Sequence, residues 1–89
     1  MLSNKDIANM FHELASLMEL HDENPFKIRS YENAYLNLRK LDQALLAQDR
    51  QHWSEIKGIG AAILDKLSEL KNTGSFSLLE EFRNKTPEG

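Results

Sequence analysis

The chain contains no cysteine, which excludes a disulfide framework and any thiolate site for a metal or for catalysis. It has no apolar run that approaches the roughly 20 residues of a membrane helix. Its first six residues also lack the basic-then-apolar order of a signal peptide. We therefore expect a cytoplasmic protein that makes no membrane contact.

Spacing typical of a metal site is missing as well. The spacing of the three histidines, His12, His21 and His52, along the sequence is not that of zinc ligands. Paired acids such as Asp22-Glu23 are typical of solvated faces. We expect no zinc site and no organic cofactor.

The chain also lacks the net positive charge of a strong nucleic-acid binder. It carries 11 basic and 14 acidic residues, a net charge of −3, whereas phosphate neutralisation supplies most non-specific affinity for nucleic acids. The charge is uneven, however. Residues 1–25 hold one lysine and five acids, whereas residues 26–40 hold four basic residues and one acid. Any contact with DNA is therefore expected to include residues 26–40.

Alternation of apolar and polar residues with period two is not found, so we expect no strand. Apolar residues recur instead at helical spacing, first as Ile7, Met10, Phe11, Leu14, Leu17 and Met18, then as Ile28, Tyr31, Ala34, Tyr35, Leu38 and Leu41. No linker or low-complexity stretch interrupts them. We predict one compact all-α domain, residues 1–89, of four or five helices, which buries about two-thirds of its unfolded surface.

Capping residues predict where the helices begin and end. Ser3 with Asp6 resembles a capping box for the first helix, and Asn24-Pro25 is a good N-cap and first-turn pair for the second. Residues 42–55 are expected to hold one or two short helices, with Leu45, Leu46 and Trp53 facing inward. Thr73-Gly74 should end the next long helix.

The last helix is predicted from Ser77-Leu78-Leu79-Glu80, which reads as a second capping box. We expect this helix to run through Phe82, with its ring in the core. Pro87-Glu88-Gly89 is expected to be a frayed tail.

Residues 56–63, Ile-Lys-Gly-Ile-Gly-Ala-Ala-Ile, are the most informative segment. Gly58 and Gly60 permit positive φ and leave no Cβ to block a close partner. The helix that follows, from Ala61, presents unpaired N–H groups and its positive dipole end, which suits a backbone phosphate. The pattern resembles the hairpin of a helix-hairpin-helix motif, which binds DNA without reading its sequence. A tight helix–helix connection without a ligand is the alternative.

Three blocks in this order resemble the N-terminal helical domain of the family X DNA polymerases, above all their bacterial branch. They are residues 23–31 (ENPFKIRSY), 55–60 (EIKGIG) and 65–74 (DKLSELKNTG). The resemblance covers residues 4–86. It implies an all-α fold with one helix-hairpin-helix motif and a role in DNA repair. Such motifs often hold a monovalent cation through the carbonyls of the hairpin.

In family members of the DNA polymerase beta type, this domain binds the 5′-phosphate side of a gap. It also removes 5′-deoxyribose phosphate through a lysine Schiff base and β-elimination. By resemblance, Lys66 falls on the position of that nucleophile, Lys27 on that of a phosphate-binding lysine and Tyr31 on that of a pocket tyrosine.

The sequence also departs from that family pattern. Ala61 and Ala62 stand where the polymerase beta domain has further basic residues, and Leu78 stands where it has another phosphate-contacting lysine. With fewer cations, phosphate binding should be weaker and a lyase role for Lys66 is disfavoured.

Apart from the family resemblance, the sequence allows two interpretations each for Lys66 and Lys27. Lys66 lies three residues after Ile63 and four before Leu70, at the edge of an apolar stripe, so it is either a reactive amine at a pocket rim or a snorkelling boundary lysine. Lys27 shares a helical face with Tyr31, which we expect to be buried. It therefore either binds phosphate or pairs with an acid of the first helix.

Three functions follow from these features. The first is a non-enzymatic DNA-binding module for gapped or 5′-phosphorylated DNA; its predicted contacts are Lys27, Arg29, Tyr31, Lys57, Gly58, Ile59, Gly60 and Ala61. The second is a 5′-deoxyribose phosphate lyase that uses Lys66. The third is a protein-interaction domain that has lost DNA binding. The 89 residues include no polymerase catalytic domain. The chain is either an excised domain or a stand-alone relative, and in the second case a protein partner is the candidate source of catalysis.

Overall fold

The computed structural model describes residues 2–87, and all regular structure in that range is helical. The helices are α1 (Asn4–Leu20), α2 (Pro25–Leu38), a 3₁₀ helix (Leu45–Ala47), α3 (Arg50–Trp53), α4 (Ala61–Thr73) and α5 (Ser77–Lys85). The predicted all-α fold is confirmed, including the short helices of residues 42–55. Met1, Glu88 and Gly89 lie outside the described residues, and with them most of the predicted tail. Within residues 2–87 no helix is both long and apolar enough to cross a membrane.

The predicted N-caps of the two long helices are confirmed. Ser3 Oγ accepts a hydrogen bond from the Asp6 N–H at 3.1 Å, and the Asp6 carboxylate accepts one from the Ser3 N–H at 3.0 Å. Asn24 Oδ1 accepts from the Phe26 N–H at 2.9 Å, with Pro25 as the first residue of α2. These caps satisfy N–H groups that a helix leaves unpaired, and they therefore fix where α1 and α2 begin.

The core lies where α1 and α2 pack together and α5 closes over α1. The Phe11 ring of α1 stacks on Tyr31 of α2, with ring centres 6.2 Å apart, and on Phe76, with ring centres 5.0 Å apart. Trp53 and Phe82 are also buried, as predicted. The other buried residues are Ile7, Ala8, Leu14, Ala15, Met18, Ala34, Leu38, Leu45, Ile63, Leu67, Leu70 and Leu79.

Asn4 joins the first turn of α1 to the segment after α2. Its Nδ2 donates to the carbonyls of Leu41 at 3.2 Å and Gln43 at 2.7 Å, while its Oδ1 accepts from the Leu45 N–H at 2.8 Å. The Leu45 carbonyl in turn accepts from the indole N–H of Trp53 at 2.9 Å. One polar side chain thus orders a segment that has little regular structure of its own.

The predicted capping box at Ser77–Glu80 is wrong. The N-cap position of α5 is Phe76, and the side chain of Glu69 on α4 accepts from the Ser77 N–H at 2.6 Å and from Ser77 Oγ at 3.1 Å. Because this carboxylate comes from a neighbouring helix, a tertiary contact replaces the local cap. The helix also continues past Phe82 to Lys85.

Candidate nucleic-acid interface

The glycine hairpin lies between the end of α3 at Trp53 and the start of α4 at Ala61. Gly58 has a φ of 85°, in the left-handed region that glycine adopts at low cost. Gly60 occupies the N-cap position of α4 with φ −94° and ψ 179°. Positive φ is therefore required only at the first glycine. A Cβ at Gly60 would have no neighbour within 4 Å beyond the adjoining chain, so this side of the turn is open to a partner.

The first turn of α4 has N–H groups that nothing in residues 2–87 accepts. The Gly60 carbonyl accepts from Ile63 N at 3.1 Å and Leu64 N at 3.2 Å, whereas the N–H groups of Ala61 and Ala62 make no hydrogen bond. No side chain caps this end, and its first turn carries no acid. The partial positive charge of the helix N-terminus therefore remains available to an anion.

A groove of about 550 Å³ opens beside this end of α4, between α2 and the hairpin. Its polar and basic lining residues are Lys27, Ser30, Tyr31, Asn33 and Lys66. Its small or apolar lining residues are Gly58, Gly60, Ala61, Ala62, Ile63 and Leu78. No described residue that lines the groove is acidic, although the chain carries a net charge of −3. The groove is therefore a local region of positive charge.

Lys66 is half-buried, at the predicted boundary of the apolar face of α4. Its Nζ lies 5.3 Å from the centre of the Tyr31 ring and 3.5 Å from the Ala62 carbonyl oxygen. The ring attracts the ammonium group through its quadrupole. This contact keeps the charge on the groove side of α4.

Lys27 is exposed, which corrects the expectation that it lies among buried residues of α2. It forms no ion pair with any residue from 2 to 87. The alternative of pairing with an acid of the first helix is therefore wrong; Glu13 of that helix pairs with Arg83 of α5. Lys27 instead lines the groove from the α2 side.

The family described as "Helix-hairpin-helix domain" matches residues 2–76, which span α1 to α4 and the hairpin. This chain belongs to the helix-hairpin-helix family. It is also 31% identical, over 88 residues, to the "DNA polymerase/3'-5' exonuclease PolX" of Bacillus subtilis (strain 168). The alignment covers 99% of this chain and 15% of that relative. The resemblance to the bacterial family X polymerases is thus confirmed, over a small part of the relative's length.

Three residues predicted to contact DNA lie away from the groove of this helix-hairpin-helix domain. Arg29 is exposed on α2 but does not line it. Lys57 borders a different depression, with His52 and Glu55. Ile59 is half-buried and packs against the core, so it anchors the hairpin. The structure brings together the other predicted site residues, Lys27, Tyr31, Gly58, Gly60, Ala61 and Lys66.

Polar residues of α2 were missed by the sequence reasoning. Ser30 and Asn33 line the groove, and the side chain of Asn37 occupies the space that a Cβ at Gly58 would need. Residues 30, 33 and 37 recur at helical spacing, so they share one face of α2. This helical spacing of polar residues after Lys27 is the sequence signal that could have predicted a polar α2 wall of the groove.

Asp49 and His52, at the short helix α3, form a hydrogen-bonded pair away from the groove. His52 Nδ1 donates a hydrogen bond to Asp49 Oδ1 at 2.8 Å, which raises the pKa of His52 above its usual value and lowers the pKa of Asp49 below its own. Across residues 2–87, no three side chains of the His, Cys, Asp or Glu type are grouped so that they could hold a metal ion.

Proposed function

We propose that this domain binds DNA through its backbone phosphates and does not read base sequence. The supporting observation is one acid-free groove that combines the unpaired N–H groups of Ala61 and Ala62 with the ammonium groups of Lys27 and Lys66. Backbone N–H groups and lysines are common phosphate ligands. The Bacillus subtilis relative is named as a DNA polymerase and exonuclease, which favours DNA as the polyanion.

The phosphate is proposed to lie at the first turn of α4, over the open face of Gly60. Lys27 would approach it from α2 and Lys66 from α4. All of these groups would contact phosphate oxygens, which are the same in every base sequence. Binding should therefore be indifferent to base sequence.

A terminal 5′-phosphate is the preferred ligand within this proposal. A phosphate monoester carries a charge near −1.5 to −2 at neutral pH, whereas each internal phosphodiester carries about −1. Two lysines and one helix end therefore attract a strand terminus more strongly than an internal phosphate. We expect a gapped duplex with a 5′-phosphate to bind better than intact duplex.

The small number of cations limits the affinity. Each neutralised phosphate contributes a slope of about −0.9 in log K against log salt for duplex DNA. Two or three contacts give a slope of about −2 to −3, so binding should be detectable only at low salt.

The test is a titration of a labelled gapped duplex at low salt, with a 5′-hydroxyl gap and an intact duplex as comparisons. Lys27→Ala should weaken binding, and Lys5→Ala, at an exposed position of α1 outside the groove, should not. Equal effects of the two variants would contradict the proposed site. No binding by the wild-type domain at low salt would contradict the function and favour the protein-interaction hypothesis.

A second candidate is the removal of 5′-deoxyribose phosphate by Lys66. It is favoured by the position of the Lys66 amine in the same groove as the proposed phosphate site. The unprotonated amine would attack the C1′ aldehyde of the open sugar, and the resulting carbinolamine would lose water to form an imine. From that imine, β-elimination would break the C3′–O bond and release the downstream strand with its 5′-phosphate. Borohydride would reduce that imine to a stable adduct with abasic DNA. Trapping by wild type but not by Lys66→Ala would support a lyase, and no trapping at concentrations that bind DNA would exclude it.

A further inference from the structure

The backbone of Gly58 lies directly against the side chain of Asn37 on α2. A Cβ at Gly58 would stand 2.5 Å from Asn37 Nδ2 and 3.2 Å from Asn37 Cγ, and the first of these is closer than real Cβ atoms approach. Any side chain at this position would therefore have to displace the Asn37 amide. Gly58 is constrained twice, by its φ of 85° and by Asn37.

Asn37 is held in this position by its own helix. Its Nδ2 donates to the Asn33 carbonyl, one turn back, at 2.8 Å. Asparagine is a poorer helix former than alanine or leucine, so helix stability does not explain its place near the end of α2. Its side chain is half-buried, and its amide faces the only hairpin residue with positive φ.

We infer that Asn37 is a positioning residue for the phosphate site. It sets the distance between the hairpin and α2, and with it the width of the groove. This inference rests on the proposed function. Asn33 and Gly58 both line the groove, and Asn37 contacts both, so it joins the α2 wall to the hairpin wall. Such support matters because binding groups must be held within about 0.5 Å of their productive positions.

The first experiment measures DNA affinity at several salt concentrations for Asn37→Ala and Asn37→Leu. Asn37→Ala removes the contact with Gly58 and should weaken binding roughly fivefold, an effect of about 1 kcal/mol. The salt slope should not change, because no phosphate contact is removed. Leucine has the same branched skeleton as asparagine, so Asn37→Leu should retain the spacing and bind within about twofold of wild type.

The matched control is Leu36→Ala, the neighbouring residue of α2, which is exposed and does not line the groove. Its affinity should equal that of wild type. A residue that served stability alone would lower the melting temperature and leave the affinity of the folded domain unchanged. That result for Asn37→Ala, or an equal loss in Asn37→Leu, would overturn the inference.

The second experiment is a double-mutant cycle of Gly58→Ala and Asn37→Ala, measured by urea unfolding. Gly58→Ala should destabilise wild type more than it destabilises Asn37→Ala, since the smaller residue leaves room for the new methyl group. Additive effects would contradict the contact between the two residues. This cycle needs no DNA. Absence of wild-type DNA binding would overturn the proposed function and the positioning role together, whereas normal binding by Asn37→Ala would overturn the positioning role alone.

Discussion

The ammonium group of Lys66 on α4 lies 5.3 Å from the centre of the Tyr31 ring on α2. Tyr31 is itself stacked on Phe11 of α1, so the position of the lysine is tied to the core. A cation–ring contact of this kind is worth about 0.5–1 kcal/mol where solvent has access. It holds one of the two groove cations near the N-terminal end of α4.

Lys66→Gln should weaken DNA binding and reduce the salt slope by about 0.9, because one phosphate contact is lost. Stability should fall by no more than about 1 kcal/mol, since the cation–ring contact with Tyr31 is lost while glutamine retains most of the side-chain stem. Titrations at several salt concentrations, with thermal unfolding in parallel, check both expectations. Lys71→Gln is the control, because Lys71 lies on the same helix outside the groove. Equal salt slopes for wild type and Lys66→Gln would contradict a phosphate role for Lys66.

Leu78 of α5 lines the groove beside Lys66, at the position where the family resemblance implies a lysine. Leu78→Lys should therefore increase DNA affinity and steepen the salt slope by about 0.9. Leu36→Lys adds the same charge on α2 outside the groove and should have a smaller effect. Both variants can be compared in one titration series. A larger gain from Leu36→Lys would place the DNA on another surface.

Arg83 of α5 forms a two-point ion pair with Glu13 of α1, through Nε at 2.6 Å and Nη2 at 2.8 Å. This hydrogen bonding holds the pKa of Glu13 below its usual value. Because the folded pKa is the lower one, the stabilisation is fully present above the unfolded pKa, near 4.5, and is lost as the pH falls through the folded pKa.

Glu13→Gln should accordingly lower the free energy of unfolding by about 0.5–1 kcal/mol at pH 7. The value is small because the two side chains remain 41% and 40% exposed. The difference from wild type should shrink as the pH falls below about 4.5. Urea unfolding between about pH 3 and pH 7 checks this. A difference that stays constant over that range would show that the charge of Glu13 is not its cause.

Asn4→Ala should destabilise the domain by about 1–3 kcal/mol, because it leaves the Leu45 N–H and two carbonyls without their partner. Asn9→Ala, at an exposed position of the same helix, should change stability by no more than about 0.5 kcal/mol. Thermal unfolding of both variants measures the contrast. Similar melting temperatures would mean that water replaces the hydrogen bonds of Asn4 without cost.

Local signals in the sequence predicted much of this fold. The capping pairs Ser3–Asp6 and Asn24–Pro25 act within a few residues of each other, and Gly74 ends α4 in the left-handed conformation through its own φ of 84°. Such interactions depend little on the rest of the chain. The helix starts and ends that depend on them were therefore predictable.

The errors arose where a distant side chain competes for a partner. Ser77 is bonded by Glu69 of α4, so its local capping box does not form. One of the two roles left open for Lys27, an ion pair with an acid of the first helix, is not formed; the acid of that helix that pairs is Glu13, with Arg83 of α5. Which helix supplies the partner depends on tertiary packing, and spacing along one helix contains no such information. For the same reason, the sequence pattern predicted a glycine hairpin but not the contact between Gly58 and Asn37.

Amide chemical-shift mapping would show whether DNA phosphate lies at the N-terminal end of α4. A ¹⁵N-labelled domain would be titrated at low salt with a gapped duplex that carries a 5′-phosphate. We predict the largest saturable shifts at the N–H groups of Gly60, Ala61 and Ala62, with Asn84 of α5 unaffected. Shifts centred on α5, or no shifts at any DNA concentration, would contradict a phosphate site at this end of α4.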